Sequence, residues 1–144
     1  MSLITNQKRW ALVVDDEEDF NELISESISK IGFKTISSKT LSDAKIKTKN
    51  QKFDCIFLDM RLGDQSGEEL IEAIRQEKHG FNIATPIMVM SGFLDLELIG
   101  RIGKDVNDIL VKPFDLKTFH ERLNSVMSAP TKTLAIRMSE RSKK

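Results

Sequence analysis

Asp15, Asp16 and Glu17, then Asp59, Ser91 with Gly92, and Lys112 are the residues of this 144-residue chain that could do chemistry together. Each group closes a short apolar run: Trp10-Ala11-Leu12-Val13-Val14, Phe53-Asp54-Cys55-Ile56-Phe57-Leu58, Ile87-Met88-Val89-Met90 and Asp108-Ile109-Leu110-Val111. Carboxylates brought close together repel, which raises some of their pKa values unless a cation relieves them. A hard divalent ion does so, and Mg²⁺ takes one or two carboxylates together with waters and phosphate oxygens. A carboxylate is also a nucleophile that can form an aspartyl-phosphate. Lys112 offers a point charge for a phosphoryl oxygen, and Ser91 a hydroxyl donor for another. Such a transfer needs mainly in-line positioning and charge neutralisation. Each residue has a plainer reading as well. Asp15-Asp16-Glu17 suits the first turn of a helix, where the macrodipole favours acids by about 0.3–1 kcal/mol. Asp59 alone reads as a loop residue, Ser91 as the close of a strand, and Lys112 as a solvated turn lysine. The chemical reading therefore depends on whether the surrounding elements bring these residues together.

Five apolar runs alternate with helical patterns. After Val14, the residues Phe20, Leu23, Ile24, Ile28 and Ile31 fall at helical spacing, and Gly32 is a helix stop. Residues 33–37 are β-prone, and Thr40 is placed to cap a helix over 41–49 with Asp43 in its first turn. A strand over 53–58 is followed by a loop at 63–67 and a helix over 68–78. A fourth strand covers 86–90, and a weak helix over 95–103 carries Gly100 and Gly103. The fifth strand is 108–111. Asp115 then reads as the N-cap of a last helix that turns Leu116, Phe119, Leu123, Val126 and Met127 inward. Alternating strands and helices predict a doubly wound parallel α/β sheet, because parallel neighbours need crossover connections. Ligands of such sheets bind beyond the carboxyl ends of the strands. Asp15, Asp16, Asp59, Ser91 and Lys112 all fall at that edge, from four different strands.

Val13-Val14-Asp15-Asp16-Glu17, Leu58-Asp59-Met60, Met90-Ser91-Gly92 and Val111-Lys112-Pro113-Phe114 resemble, in order and spacing, the marker segments of two-component response-regulator receiver domains. The resemblance covers residues 9–127. It implies a flavodoxin-like five-stranded parallel sheet of order 2-1-3-4-5 with five helices, a receiver over 9–128, and a basic tail or linker over 129–144. It implies Asp59 as phosphoacceptor, and Mg²⁺ held by Asp16 directly, by Asp15 directly or through water, by Asp59, and by the backbone carbonyl of Arg61. Ser91, Gly92 and Lys112 would bind the phosphoryl group and begin the switch, and Pro113 would follow a cis bond. The implied partners are a histidine kinase or histidine phosphotransfer protein, and an output partner on the face of the fourth helix, fifth strand and fifth helix. A homodimer stays an open alternative. Two positions depart from the family pattern. Ile109 stands where receivers place a switching Tyr or Phe, and Asp105-Val106 replace a small Gly-Ala pair.

Composition sets the remaining bounds. Lys and Arg balance Asp and Glu at 22 each, so no global field favours nucleic acid or a membrane surface. The longest apolar runs are strand-sized. The single Cys55 cannot form an internal disulfide and reads as a small core residue, with a reducing cytoplasm as the expected compartment. His79 and His120 lack metal-site spacing and read as surface residues. The helical pattern is lost after Pro130, and the segment beyond reads as disordered, as a linker or as a short helical extension. The expected role is that of an acceptor rather than an enzyme. One competing class is a Mg²⁺-dependent aspartate-nucleophile phosphatase, but Asp15-Asp16-Glu17 lacks the DxD spacing of those enzymes. Another is a constitutive interaction module, which Ile109 keeps open.

Overall fold

The computed structural model describes residues 8–143, and its strands fall where the apolar runs lie. The strands are β1 (Arg9–Val14), β2 (Phe33–Ser38), β3 (Cys55–Asp59), β4 (Ile87–Ser91) and β5 (Asp108–Val111). All pair in parallel, in the order β2-β1-β3-β4-β5. The sheet is buried on both sides, which is why β1, β3 and β4 read as continuous apolar runs without polar alternation.

Side chains alternate between the two faces along each strand. Ala11, Val13, Cys55, Phe57, Met88 and Met90 face helices α1 (Glu18–Ser29) and α5 (Leu116–Ser128). Leu12, Val14, Ile56, Leu58, Ile87 and Val89 face α2 (Leu41–Asn50), α3 (Glu68–Gln76) and α4 (Leu96–Ile102). Phe119 anchors the first face, with its ring 5.4 Å from Phe57 and 5.9 Å from Phe114. Burying one such side chain stabilises the fold by about 1.5–3 kcal/mol. Leu23, Ile31 and Leu116, which helical spacing turns inward, are instead 45%, 45% and 41% exposed. Leu23 and Leu116 lie at the margins of their helices' apolar stripes, and Ile31 falls in the turn beyond α1. The caps follow the sequence: Thr40 accepts from the Asp43 amide and Asp115 from the Thr118 amide.

Two further elements differ from expectation. Residues 63–67 are not a bare loop, because Arg61–Leu62 and Gln65–Ser66 pair as a short antiparallel ribbon turned at Gly63, whose φ is +63°. Among the described residues the helices number six rather than the expected five. Helix α6 (Leu134–Ser142) begins at Thr133, whose hydroxyl accepts from the Ile136 amide. Leu134 is fully buried, and the buried Arg137 donates to the Ser125 and Ala129 carbonyls at the C-terminus of α5. The Ser125 carbonyl also accepts from the Ala129 amide and the Ala129 carbonyl from the Lys132 amide, so Arg137 adds a second donor to each. A helix with one buried leucine and an arginine anchor leaves little hydrophobic periodicity to read. Lys144, part of the expected basic tail, lies outside the described residues.

Candidate functional site

Strand register creates the site. Val14 pairs with Leu58, Asp59 with Met90, and Ser91 with Val111, so β1, β3, β4 and β5 stop at one level. Backbone bonds carry the ladder one residue further, from Asp15 to Ser38, Met60 to Met90, and Lys112 to Ser91. Asp15, Asp59, Ser91 and Lys112 therefore emerge together at the carboxyl edge. The chain reverses its strand order between β1 and β3, where a crevice opens beyond the strand ends.

The carboxylate oxygens of Asp15, Glu17 and Asp59 lie within 4.8 Å of one another. Asp15 is fully buried and Asp59 is 7% exposed, while Glu17 faces solvent. Lys112 bridges the two buried acids: Nζ donates to Asp15 Oδ2 at 2.9 Å and to Asp59 Oδ2 at 3.2 Å, and it stands 3.9 Å from Glu17 Oε1. The same ammonium lies 4.0 Å from the centre of the Phe20 ring, a cation–π contact on its inner side. Among the described residues, no other basic side chain pairs with these three acids. Burial pushes the Asp59 carboxyl above the usual range; the Arg61 amide and the Lys112 charge oppose this, and Asp15 reinforces it. Burial works against the charge on Lys112, but its hydrogen bond to Asp15 and the charge of Asp59 raise it overall. Three carboxylates against one ammonium leave a surplus of negative charge. Hard oxygen donors at this spacing, with that surplus, suit a hard divalent cation.

The remaining expected residues fall around this cluster. Asp16 is at the same rim but outside the group, because its Oδ2 accepts from the Gly63 amide at 3.0 Å and ties the β1 loop to the ribbon. Glu17 stands in the group instead. The Asp15 carboxylate accepts from the Glu17 amide at 2.9 Å and draws the turn back toward β3. The Arg61 amide donates to Asp59 Oδ1 at 3.2 Å, while its side chain is exposed. The Ser91 hydroxyl is turned onto its own loop, donating to the Phe93 carbonyl at 2.8 Å. Gly92, together with Asp59, Ser91 and Phe93, lines a cavity of about 320 Å³. The Lys112–Pro113 bond is cis. Ile109 is buried against the core formed by α2, α3 and α4. A larger cavity, about 770 Å³, lies between α2 and the segment following α3, away from these groups.

Sequence reasoning missed two further residues. Asn21, buried in α1, donates to the carbonyls of Val13 and Asp15 and fixes the start of the acidic turn. Gly67 lets α3 approach β3: a Cβ there would stand 3.0 Å from the Asp59 carbonyl oxygen and 3.2 Å from Leu58 Cγ. The signal for Asn21 was a polar residue on an apolar helical face. Gly67 carried no signal beyond marking a loop.

Comparison with known proteins agrees with this geometry. A family model described as the response regulator receiver domain matches residues 11–124. The response regulator protein PilR of Pseudomonas aeruginosa is 32% identical over 115 residues, which are 79% of this chain and 25% of PilR. A chemotaxis protein CheY homolog of Campylobacter jejuni is 26% identical over 118 residues, covering 81% of this chain and 90% of its own. The non-phosphorylated HemR receiver domain of Leptospira biflexa superposes with a TM-score of 0.74 at 28% identity, covering 84% of this chain and 95% of that one. The chain thus spans a quarter of PilR's length but nearly all of the CheY homolog's. With four marker segments meeting at one edge of a five-stranded parallel sheet, and a family model spanning that sheet, the chain belongs to the response regulator receiver domains.

Proposed function

We propose that Asp59 accepts a phosphoryl group from a histidine kinase or a histidine phosphotransfer protein, and that the modified domain then binds an output partner differently. The observation that carries this is the Lys112 ammonium bridging Asp59 and Asp15 at the carboxyl edge of the sheet. In the transfer, an Asp59 carboxylate oxygen forms a bond to phosphorus, the donor's N–P bond breaks, and the freed imidazole takes a proton. Lys112, already 3.2 Å from Asp59 Oδ2, neutralises a phosphoryl oxygen. The Ser91 hydroxyl gives up the Phe93 carbonyl and donates to another. Asp15, Asp59 and the Arg61 backbone carbonyl would hold Mg²⁺, with Glu17 or Asp16 completing the set. When bound, Mg²⁺ supplies the positive charge that lets carboxylates and phosphoryl oxygens share the pocket.

Receiver domains work with histidine kinases and output domains, and act as signalling switches rather than turnover enzymes. In this reading residues 9–128 are the receiver, 129–144 are an appended segment, and the site of action is the cytoplasm. Among the described residues no helix is long and apolar enough to cross a membrane. Burial pushes the Cys55 thiol up, so it is a packing residue. One observation favours a second reading, a module that binds partners without switching: Ile109 has no ring to swing between buried and exposed positions.

Incubation with Mg²⁺ and acetyl phosphate separates the alternatives. The proposal expects one added phosphoryl mass, not formed when Mg²⁺ is chelated beforehand and absent in Asp59→Asn. A constitutive module gives no adduct, or an adduct that leaves partner binding unchanged. Catalytic consumption of the donor without an adduct points to a phosphatase.

A further inference from the structure

Helix α6 lies beyond residues 11–124, which the family model matches, yet it is fastened to the connection from α4 into β5, to the first residue of that edge strand and to the end of α5. The Leu134 amide donates to the Val106 carbonyl at 2.8 Å and the Ala135 amide to the Gly103 carbonyl at 3.0 Å. Asn107, just before β5, donates to the carbonyls of Pro130 and Lys132 and holds the connection from α5. Arg137 caps α5. Arg141 donates to Asp108 Oδ2 at 2.9 Å. Asp108 is fully buried at the start of β5, and Arg122 of α5 takes its other oxygen. A buried carboxylate needs such partners. The β5 edge and the end of α5 thus form a surface suited to a short helix that presents Leu, Arg, Met and Arg at i, i+3, i+4 and i+7. Residues Leu134, Arg137, Met138 and Arg141 meet that pattern.

Docking of α6 leaves a groove of about 510 Å³ above it, lined by Leu94, Ile109, Val111, Phe114, Met138 and Arg141. Its far wall is the segment following β4. That segment is held by the Ser91 hydroxyl, which bonds both the carbonyl and the amide of Phe93, the neighbour of Leu94. One side chain therefore sits between the acceptor pocket and the wall of the α6 groove. A nine-residue helix does not persist alone in water, so α6 is helical only while docked.

We propose that the β5 edge is a helix-docking surface whose resident occupant is α6, and that loading Asp59 loosens α6 by drawing Ser91 away from Phe93. This route needs no aromatic ring at position 109. It rests on Asp59 being the acceptor, and it adds a regulated contact outside the matched domain. Loosening of α6 frees the β5 edge, and reciprocity follows by linkage: weakening α6 docking must tighten phosphoryl-mimic binding by the factor by which loading weakens docking.

Hydrogen exchange read by mass spectrometry on the full chain tests this, with Mg²⁺ and beryllium fluoride as the phosphoryl mimic. Fluorine NMR reports occupancy of Asp59 independently. Loading is expected to speed exchange of the α6 amides about tenfold, the scale of one neutral hydrogen bond, while the α5 amides stay protected. Arg141→Gln removes the tie to Asp108 but leaves Arg122 in place, so the sheet should fold. This variant should raise α6 exchange without ligand and tighten beryllium fluoride binding by a similar factor. Unchanged α6 exchange at full occupancy overturns the proposal, as does looser α6 in Arg141→Gln with unaltered affinity. Absence of any bound fluoride overturns the acceptor assignment itself, and the proposal with it.

Discussion

Lys112→Met removes the one ammonium from the acidic cluster and keeps an apolar stem of similar length to pack beside Phe20. Asp15 and Asp59 then face each other with oxygens within 4.8 Å. At an effective dielectric constant of about 20, two unit charges at that separation repel by roughly 3.5 kcal/mol. Part of this is offset, since Asp15 keeps the Glu17 amide and Asp59 keeps the Arg61 amide. The expected loss is about 2–4 kcal/mol at neutral pH without divalent ions, near the range for stripping one partner from a buried pair. The sign of the pH dependence follows from linkage. Burial already raises the Asp59 carboxyl and Lys112 opposes this, so without Lys112 native Asp59 binds its proton still more tightly than unfolded Asp59, and the deficit grows above the usual carboxylate pKa and fades below it. Mg²⁺ should also shrink the deficit, because it stabilises only the folded site. Urea unfolding followed by circular dichroism, at neutral and acidic pH with and without Mg²⁺, measures all of these. A loss of equal size under every condition would refute the electrostatic account and leave only the packing of the lysine stem.

Asp59→Asn should raise the urea midpoint at neutral pH. Burial and Asp15 hold its carboxyl up, so native Asp59 binds a proton more tightly than unfolded Asp59, and its ionised form costs stability above the usual value of 3.8. The gain should vanish below that pH, and a lowered midpoint at neutral pH contradicts the argument. Phe119→Ala should cost about 3–5 kcal/mol in the same assay, because it empties a fully buried ring site between Phe57 and Phe114; a loss under 1 kcal/mol would mean that α5 packs loosely. Gly67→Ala should cost about 1–3 kcal/mol and slow phosphorylation by small donors, since the added methyl presses on the Asp59 backbone. Full stability and full rate together would show that α3 yields freely there.

How much of this was legible in the sequence depended on periodicity. Continuous apolar runs ending in Asp15, Asp59, Ser91 and Lys112 located both the strands and the edge where chemistry gathers, because parallel strands share one direction. Turns decide finer points that a run of acids does not reveal. Asp16 and Glu17 are adjacent in sequence, yet the Asp15–Glu17 turn and the Gly63 amide send them to different partners. Helix α6 is only one of three alternatives the sequence leaves open, because its anchors are arginines rather than a stripe of leucines. Gly67 could be recognised only once the α3–β3 approach was known. Ile109 was readable as a missing ring, but the α6 packing around that strand was not.

The acceptor assignment is tested most directly by chemistry at a single residue. After phosphorylation with acetyl phosphate and Mg²⁺, borohydride reduces an acyl phosphate on aspartate to homoserine, and peptide sequencing by mass spectrometry locates it. The account predicts homoserine at position 59 alone. Homoserine at Asp15 or Asp16, or a phosphoryl group that resists borohydride on Ser91 or a histidine, would contradict it.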